Sequence, residues 1–234
     1  MSREKIITGI DIGSTKITTV VASVSDNKVS VIGVSGNIPS KGINKGNVVD
    51  IDSSVEAISQ SIEKAERMAG VSISNAFVTL NGSHIENLNS HGVVAVSPNE
   101  TSEITKEDVS RVIEAAQAVS LPSTREIVHV IPRDFVVNSQ EGIKDPVGMS
   151  GVRLEVETNV IHGSATAMKN IAKCVNKVAI DVDELVYTGL ASAEAVLTDT
   201  EKELGTLLVD IGGGTTSVVA FLDGSPIHSA VLPI

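Results

Sequence analysis

The sequence predicts an α/β protein carrying an inserted α+β block, on three observations. Strand-like and helix-like segments alternate up to residue 82 and again after residue 162. One short pattern occurs twice: an apolar strand, an aspartate, glycine, small hydroxyl residues, then a second apolar strand. The stretch between the two copies, residues 83–162, has strands and a helix of its own.

The elements follow in order. Ile6 to Ile10 and Ile17 to Val21 read as two strands around a turn at Asp11 to Thr15. Lys28 to Val34 is a third strand after the turn Ser25-Asp26-Asn27. Ser53 and Glu56 form a capping box for a helix bearing Val55, Ile58, Ile62, Ala65 and Met68, which Gly70 ends. Ala76 to Leu80 is a strand stopped by Asn81-Gly82. In the middle block, Gly92 to Val96 is a strand, and Thr105 with Asp108 caps a helix with Val109, Val112, Ile113 and Ala116 on one face. Pro132 splits Ile127 to Ile131 from Phe135 to Val137. After a loop at 142–151, Val152, Leu154, Val156 and Val160 alternate with Arg153, Glu155 and Glu157, as on a sheet with one wet side. Ser164 then caps a helix carrying Met168, Ile171, Ala172 and Val175. Leu185 to Tyr187 is a strand, Leu190 to Leu197 a helix, and Leu207 to Val209 and Val218 to Leu222 are strands around Gly212-Gly213-Gly214. Asp223-Gly224 is a further hairpin turn.

Composition narrows the function. A formal net charge of -11 argues against a nucleic-acid backbone as partner, because phosphates are gripped by clustered Lys and Arg. With Cys174 as the single cysteine, an internal disulfide and a cysteine zinc site are both excluded. The apolar run in MSREKIITGIDIG is too short and interrupted for a signal peptide, and no stretch approaches the roughly 20 apolar residues that span a bilayer.

The repeated pattern carries the candidate chemistry. Ile10-Asp11-Ile12-Gly13-Ser14-Thr15 returns as Val209-Asp210-Ile211-Gly212-Gly213-Gly214-Thr215-Thr216. Glycine lets the backbone bend tightly and bring N–H groups against an anion. Ser14, Thr15, Thr215 and Thr216 add hydroxyl donors, and Lys16 a charge able to reach a terminal phosphate. Asp11 and Asp210 suit Mg²⁺, held through water because magnesium dehydrates reluctantly. Two such hairpins face to face would clamp a triphosphate. A lone Asp-x-Gly hairpin is usually just a turn, and from pattern alone both readings stay open for the pair. Neither copy ends in the Gly-Lys-Ser/Thr of a Walker loop, and neither leads into the helix of a dinucleotide fingerprint.

The hairpins resemble the phosphate-1 and phosphate-2 motifs of the actin, sugar-kinase and heat-shock chaperone superfamily, and Tyr187-Thr188-Gly189-Leu190-Ala191-Ser192-Ala193-Glu194-Ala195 resembles its connect-1 helix. Within it, Phe77 to Ile85, Arg133-Asp134-Phe135, Gly142-Ile143 to Asp145-Pro146 and Gly148 to Leu154 are similar to the FtsA family of bacterial cell-division proteins. That resemblance covers essentially the whole chain. It implies an actin-like (ribonuclease H-like) ATPase fold with an SHS2-type 1C insert. Subdomain 1A would be residues 1–82 and 163–203, 1C residues 83–162, and 204–234 the start of 2A, with the chain stopping before the end of 2A. It further implies ATP with Mg²⁺ as cofactor, bound by Gly13, Ser14, Thr15, Lys16, Asp210, Gly212, Gly213, Gly214, Thr215 and Thr216, with Asp11 and Asp210 toward the metal. The implied role is a filament-forming adaptor on the inner face of the cytoplasmic membrane. It would link FtsZ to that membrane and recruit later division proteins through 1C. The FtsZ surface in subdomain 2B and a C-terminal membrane helix are expected beyond residue 234. Thr188 stands where hydrolases of the superfamily often carry an acidic or amide residue that orients water, so the expectation is at most slow ATPase activity. The alternatives are a PilM-type pilus-assembly scaffold and a sugar-kinase-like phosphotransferase.

Other reactive residues offer less. Glu194 reads as a solvated helix carboxylate. His84, His91, His129, His162 and His228 have no metal-site spacing, and Cys174 reads as a small buried side chain. Ser14 lacks a Gly-x-Ser-x-Gly elbow. The edge strands of the insert are open to filament contacts.

Overall fold

The computed structural model describes residues 5–26, 28–96 and 103–234, so Asn27 of the expected 25–27 turn lies outside the described residues. Strand β1 (Lys5–Ile12) and β2 (Lys16–Ser25) form an antiparallel hairpin extended by β3 (Lys28–Val34). Asp11 sits inside β1 opposite Thr18, which shortens the expected 11–15 turn to Gly13 to Thr15. Short β4 (Ile38–Pro39) pairs with the start of β2, and β5 (Ile43–Asn44) with β6 (Asn47–Val48) makes a small hairpin. Helix α1 (Ile51–Ala69) follows, then β7 (Asn75–Leu80), which runs parallel to β1.

The start of α1 corrects the sequence reading. Its N-cap is Asp50, whose carboxylate accepts the Ser53 N–H at 3.1 Å, and Glu56 instead accepts from Gln60. The helix begins one turn earlier than expected, so Ser53 lies inside its first turn and its own N–H is among the free amides that Asp50 caps. Gly70 ends the helix as expected, in the left-handed conformation with φ +70°. Met68, placed on the apolar face, is 66% exposed.

The insert is a sheet of its own. Strand β8 (Glu86–Ala95), α2 (Lys106–Gln117), β9 (Arg125–Val137), β10 (Gln140–Ile143) and β11 (Arg153–Ser164) follow in the chain, and the sheet order is β10-β9-β11-β8. Thr105 and Asp108 form the expected reciprocal capping box on α2. β9 is one strand rather than two. Its register slips beside Pro132, so a bulge at Arg133 absorbs the missing donor without breaking the strand. Val152, assigned to the buried face, is 71% exposed. The alternation holds from Arg153 to Glu157, but from Thr158 to Gly163 both faces of β11 are buried, because this half enters the main core.

After α3 (Ala165–Asn176), capped by Ser164 as expected, come β12 (Asp181–Tyr187), α4 (Thr188–Val196) and α5 (Asp199–Leu204). The sequence reading missed α5, although Thr198 and Glu201 box its start. Strands β13 (Thr206–Ile211), β14 (Thr215–Leu222) and β15 (Ser225–Pro233) close the fold as a three-stranded antiparallel sheet.

The main sheet has the order β12-β7-β1-β2-β3, with β4 beside β2. One face is covered by α1 and α3 and carries Ile10, Ile12, Ile17, Val21, Val78 and Leu80 of the principal core. Cys174, fully buried, belongs to it. A second core of Ile104, Val112, Ala116, Phe135, Val137, Ile143, Leu154 and Val156 lies within the insert. The far face of the main sheet has an open apolar trough of about 460 Å³ by Phe77, Val186, Ala191 and Ala195. Tyr187, fully buried, marks the seam between the main sheet and the last one: its N–H donates to His129 Nε2 and its hydroxyl reaches the Ala230 carbonyl at 3.5 Å. Burial pushes its phenol up to about 12. Among the described residues no helix is long and apolar enough to cross a membrane.

Gly92 fixes α2 on the insert. A Cβ there would lie 2.3 Å from the Val112 carbonyl and 2.8 Å from the Ala116 nitrogen, so strand and helix backbones touch. Gly92→Val is expected to cost about 1–3 kcal/mol by overpacking. Hydrogen exchange should then accelerate in α2 and β8 while amides of β1 and β7 keep their protection; uniform loss across both sheets would contradict a separate insert core.

Candidate functional site

The two hairpin turns are built alike. The Gly13 N–H donates to the Lys16 carbonyl at 3.0 Å, and the Gly212 N–H to the Thr215 carbonyl at 2.9 Å. The loops are therefore Ser14-Thr15 and Gly213-Gly214, and Lys16 corresponds in place to Thr215. Neither loop has a residue at positive φ. What glycine provides here is close approach of the tips. A Cβ on Gly213 would lie 2.2 Å from the Thr15 methyl, and one on Gly214 2.8 Å from Ser14 Oγ. Ser14 Oγ also accepts the Gly46 N–H, which ties the first tip to the β5–β6 hairpin.

The tips enclose one cleft of about 160 Å³, lined by Asp11, Gly13, Ser14, Thr15, Lys16, Asp210, Gly212, Gly213 and Thr215 together with Asn81 and Thr188. Gly214 and Thr216 stand apart from this lining. Gly214 packs on Ser14, and its carbonyl accepts the Ile234 N–H. Thr216 is paired with Ile211 and Leu232, and successive side chains of a strand point to opposite faces, so it turns away from the side that Thr215 faces.

Asp11 and Asp210 come from different sheets and are close enough to repel. Each is held by one hydroxyl. Thr79 Oγ1 donates to Asp11 Oδ1 at 2.9 Å, and Ser192 Oγ donates to Asp210 Oδ2 at 2.8 Å. Thr79 is itself fixed, accepting the Ile12 N–H at 3.0 Å. Burial raises the Asp11 carboxyl above its ordinary value of 3.8; the Thr79 hydrogen bond opposes this, the Asp210 charge adds to it, and Lys16 lowers it. Two carboxylates beside glycine-lined turns fit a hydrated divalent cation accompanying a polyanion. Among the described residues no group of three or more His, Cys, Asp and Glu could hold a metal directly.

Thr79, Asn81 and Ser192 were missed as site residues. Thr79 and Asn81 lie at the carboxyl end of β7, the parallel neighbour of β1, and the carboxyl ends of parallel strands are where ligands gather. Ser192 lies one helical turn beyond Thr188 on α4, a spacing the sequence did display. Thr188 donates to the Leu80 carbonyl at 3.2 Å. Glu194 lies outside the cleft lining and pairs with Lys202 at 2.6 Å.

Residues 82–162 match the family model described as the SHS2 domain inserted in FTSA. Cell division protein FtsA of Pseudomonas aeruginosa is 46% identical over 98% of the chain, that of Bacillus subtilis 42% over 100%, and that of Escherichia coli 40% over 98%. The chain belongs to the FtsA family. It spans about half the length of these FtsA relatives: 54%, 53% and 54%. Among solved structures it resembles a PilM-PilN type IV pilus biogenesis complex, with TM-score 0.61 at 18% identity over 97% of the chain and 61% of that one. The ethanolamine utilization protein EutJ of Carboxydothermus hydrogenoformans gives 0.51 at 14%, over 98% and 52%. The FtsA-family chain thus has the actin-like ATPase fold with an SHS2 insert.

The charge of Asp11 has a measurable consequence. Its native carboxyl holds a proton to higher pH than the unfolded one, so stability falls as pH rises from the ordinary value through the raised one. Asp11→Asn, which keeps an acceptor for Thr79, should raise the neutral-pH melting temperature of the ligand-free chain. An unchanged or lower Tm would show that Asp11 carries no such burden.

Proposed function

We propose that the cleft binds ATP with Mg²⁺ by its phosphates and that the chain serves as the phosphate-gripping part of a filament-forming division adaptor. The observation that carries this reading is the meeting of Asp11 and Asp210, from two separate hairpins, in one glycine-lined cleft. Gly13, Gly212 and Gly213 would offer backbone amides, Ser14, Thr15 and Thr215 hydroxyls, and Lys16 a positive charge. Gly214 would act by letting the second tip rest on Ser14, and Thr216 by pairing β14 to its neighbours. Asp11 and Asp210 would hold magnesium through water, and the bound ion would neutralise phosphate charge.

Turnover is proposed to be slow at most. Thr188 brings no carboxylate or amide to orient water, and the Asn81 amide is engaged on both its oxygen and its nitrogen. The subdomain division (1A at 1–82 and 163–203, 1C at 83–162, 2A from 204) belongs to the same proposal, as do FtsZ as partner, self-association, and later division proteins acting through the insert. A peripheral place on the inner membrane face would then come from parts of such proteins beyond the span of this chain.

In the whole gene product, a fluorescent ATP analogue should bind with Mg²⁺ and be weakened about tenfold or more by Lys16→Ala, the range of a hydrogen bond to a charged group. Gly213→Val, which drives a side chain into Thr15, should abolish binding. Unchanged affinity in both variants would remove the cleft from the site, and phosphate release stimulated by a sugar would replace the adaptor with a kinase.

A further inference from the structure

We infer that Asn81 is a positioning residue that fixes the direction of the Thr215 hydroxyl, making it a hydrogen-bond donor to an anionic oxygen in the cleft. The inference rests on the nucleotide reading of that cleft and adds a residue outside both glycine turns.

Three hydrogen bonds carry it. Asn81 Oδ1 accepts the Gly82 N–H at 2.8 Å and the Ser217 hydroxyl at 3.2 Å. A backbone N–H can only donate, so the oxygen of the carboxamide must face Gly82. The amide nitrogen is then the atom that meets Thr215 Oγ1, at 3.1 Å, and it can only donate. Thr215 therefore accepts from Asn81, and its own hydrogen goes elsewhere. Thr215 is 5% exposed and lines the cleft, and among the described residues no acceptor takes that hydrogen. A phosphate oxygen of a nucleoside polyphosphate suits it: acceptor only, charged, and arriving from the cleft side.

The polarity matters as much as the contact. With a carboxylate in place of the carboxamide, Gly82 and Ser217 keep their acceptor, but Thr215 would turn to donate to residue 81. The cleft would lose a donor and gain a negative charge. A threonine held as donor also favours an anion over a neutral ligand of equal size, since a hydrogen bond to a charged acceptor is the stronger one. Ser217 is fully buried, so the direction is set from beneath the site rather than by solvent.

The test is a double-mutant cycle on the whole gene product, reading the dissociation constant of a fluorescent ATP analogue with Mg²⁺. Asn81→Asp and Thr215→Val should each weaken binding about tenfold or more. The double variant should be weaker than the parent by clearly less than the product of the two factors, because both changes delete the same donor. Thermal melting without nucleotide checks that each variant folds; if Asn81→Asp does not, Asn81→Ala with Thr215→Val runs the same cycle. Multiplicative losses, or an Asn81→Asp affinity equal to the parent's, overturn the inference while the nucleotide reading stands. A parent that binds no nucleotide overturns both.

Discussion

The contact between the two glycine-bearing tips is the constraint on which the rest of the arrangement depends. Thr15 occupies the space that any side chain on Gly213 would need, and Ser14 does the same for Gly214. This contact sets the distance between two sheets that share no strand. It brings Asp11 and Asp210 within electrostatic reach, and a hydroxyl from β7 pins the first while one from α4 pins the second. The site is a place where the native state accepts buried repulsion, which a cation or a proton can relieve. Stability and binding therefore oppose each other at Asp11.

The insert is anchored to that arrangement at both ends. Its first residue follows Asn81, which is bonded to β14. Further along, Asn87 Oδ1 accepts the Ser229 N–H of β15, and Lys144 donates to the Asp223 carbonyl in the β14–β15 turn. At its base the Arg125 guanidinium donates to His162 Nδ1 and to the His84 carbonyl, joining β9, β11 and the exit from β7. The second sheet thus leans on the last one, and any shift of β13–β15 is felt by the insert through polar groups of fixed direction.

Much of this was legible in the sequence because it is local. The repeat of Asp11-Ile12-Gly13 in Asp210-Ile211-Gly212, the Thr105–Asp108 box and the Gly70 stop are each decided within a few residues. The misses share a different cause. Asp50 rather than Ser53 caps α1 because the helix starts one turn earlier, and Asp50 and Ser53 are both residue types that suit a cap. Pro132 interrupts no strand because a bulge at the next residue of β9, opposite the long partner β11, accommodates it. Thr79 and Asn81 enter the site through pairings across 68 and 136 positions of sequence, which no local pattern displays, whereas Ser192 was hinted at by its helical spacing from Thr188. Glycine was read as freedom to bend, whereas the structure uses its missing side chain as clearance.

Tyr187 gives the seam a built-in optical signal. The chain has one tyrosine and no tryptophan, and that phenol is buried between the main sheet and β15. Its raised ionisation point keeps it a neutral phenol across the working pH range, so the intrinsic fluorescence of the chain would report quenching and hydration of this one ring. Parting of the two sheets would be visible without any label.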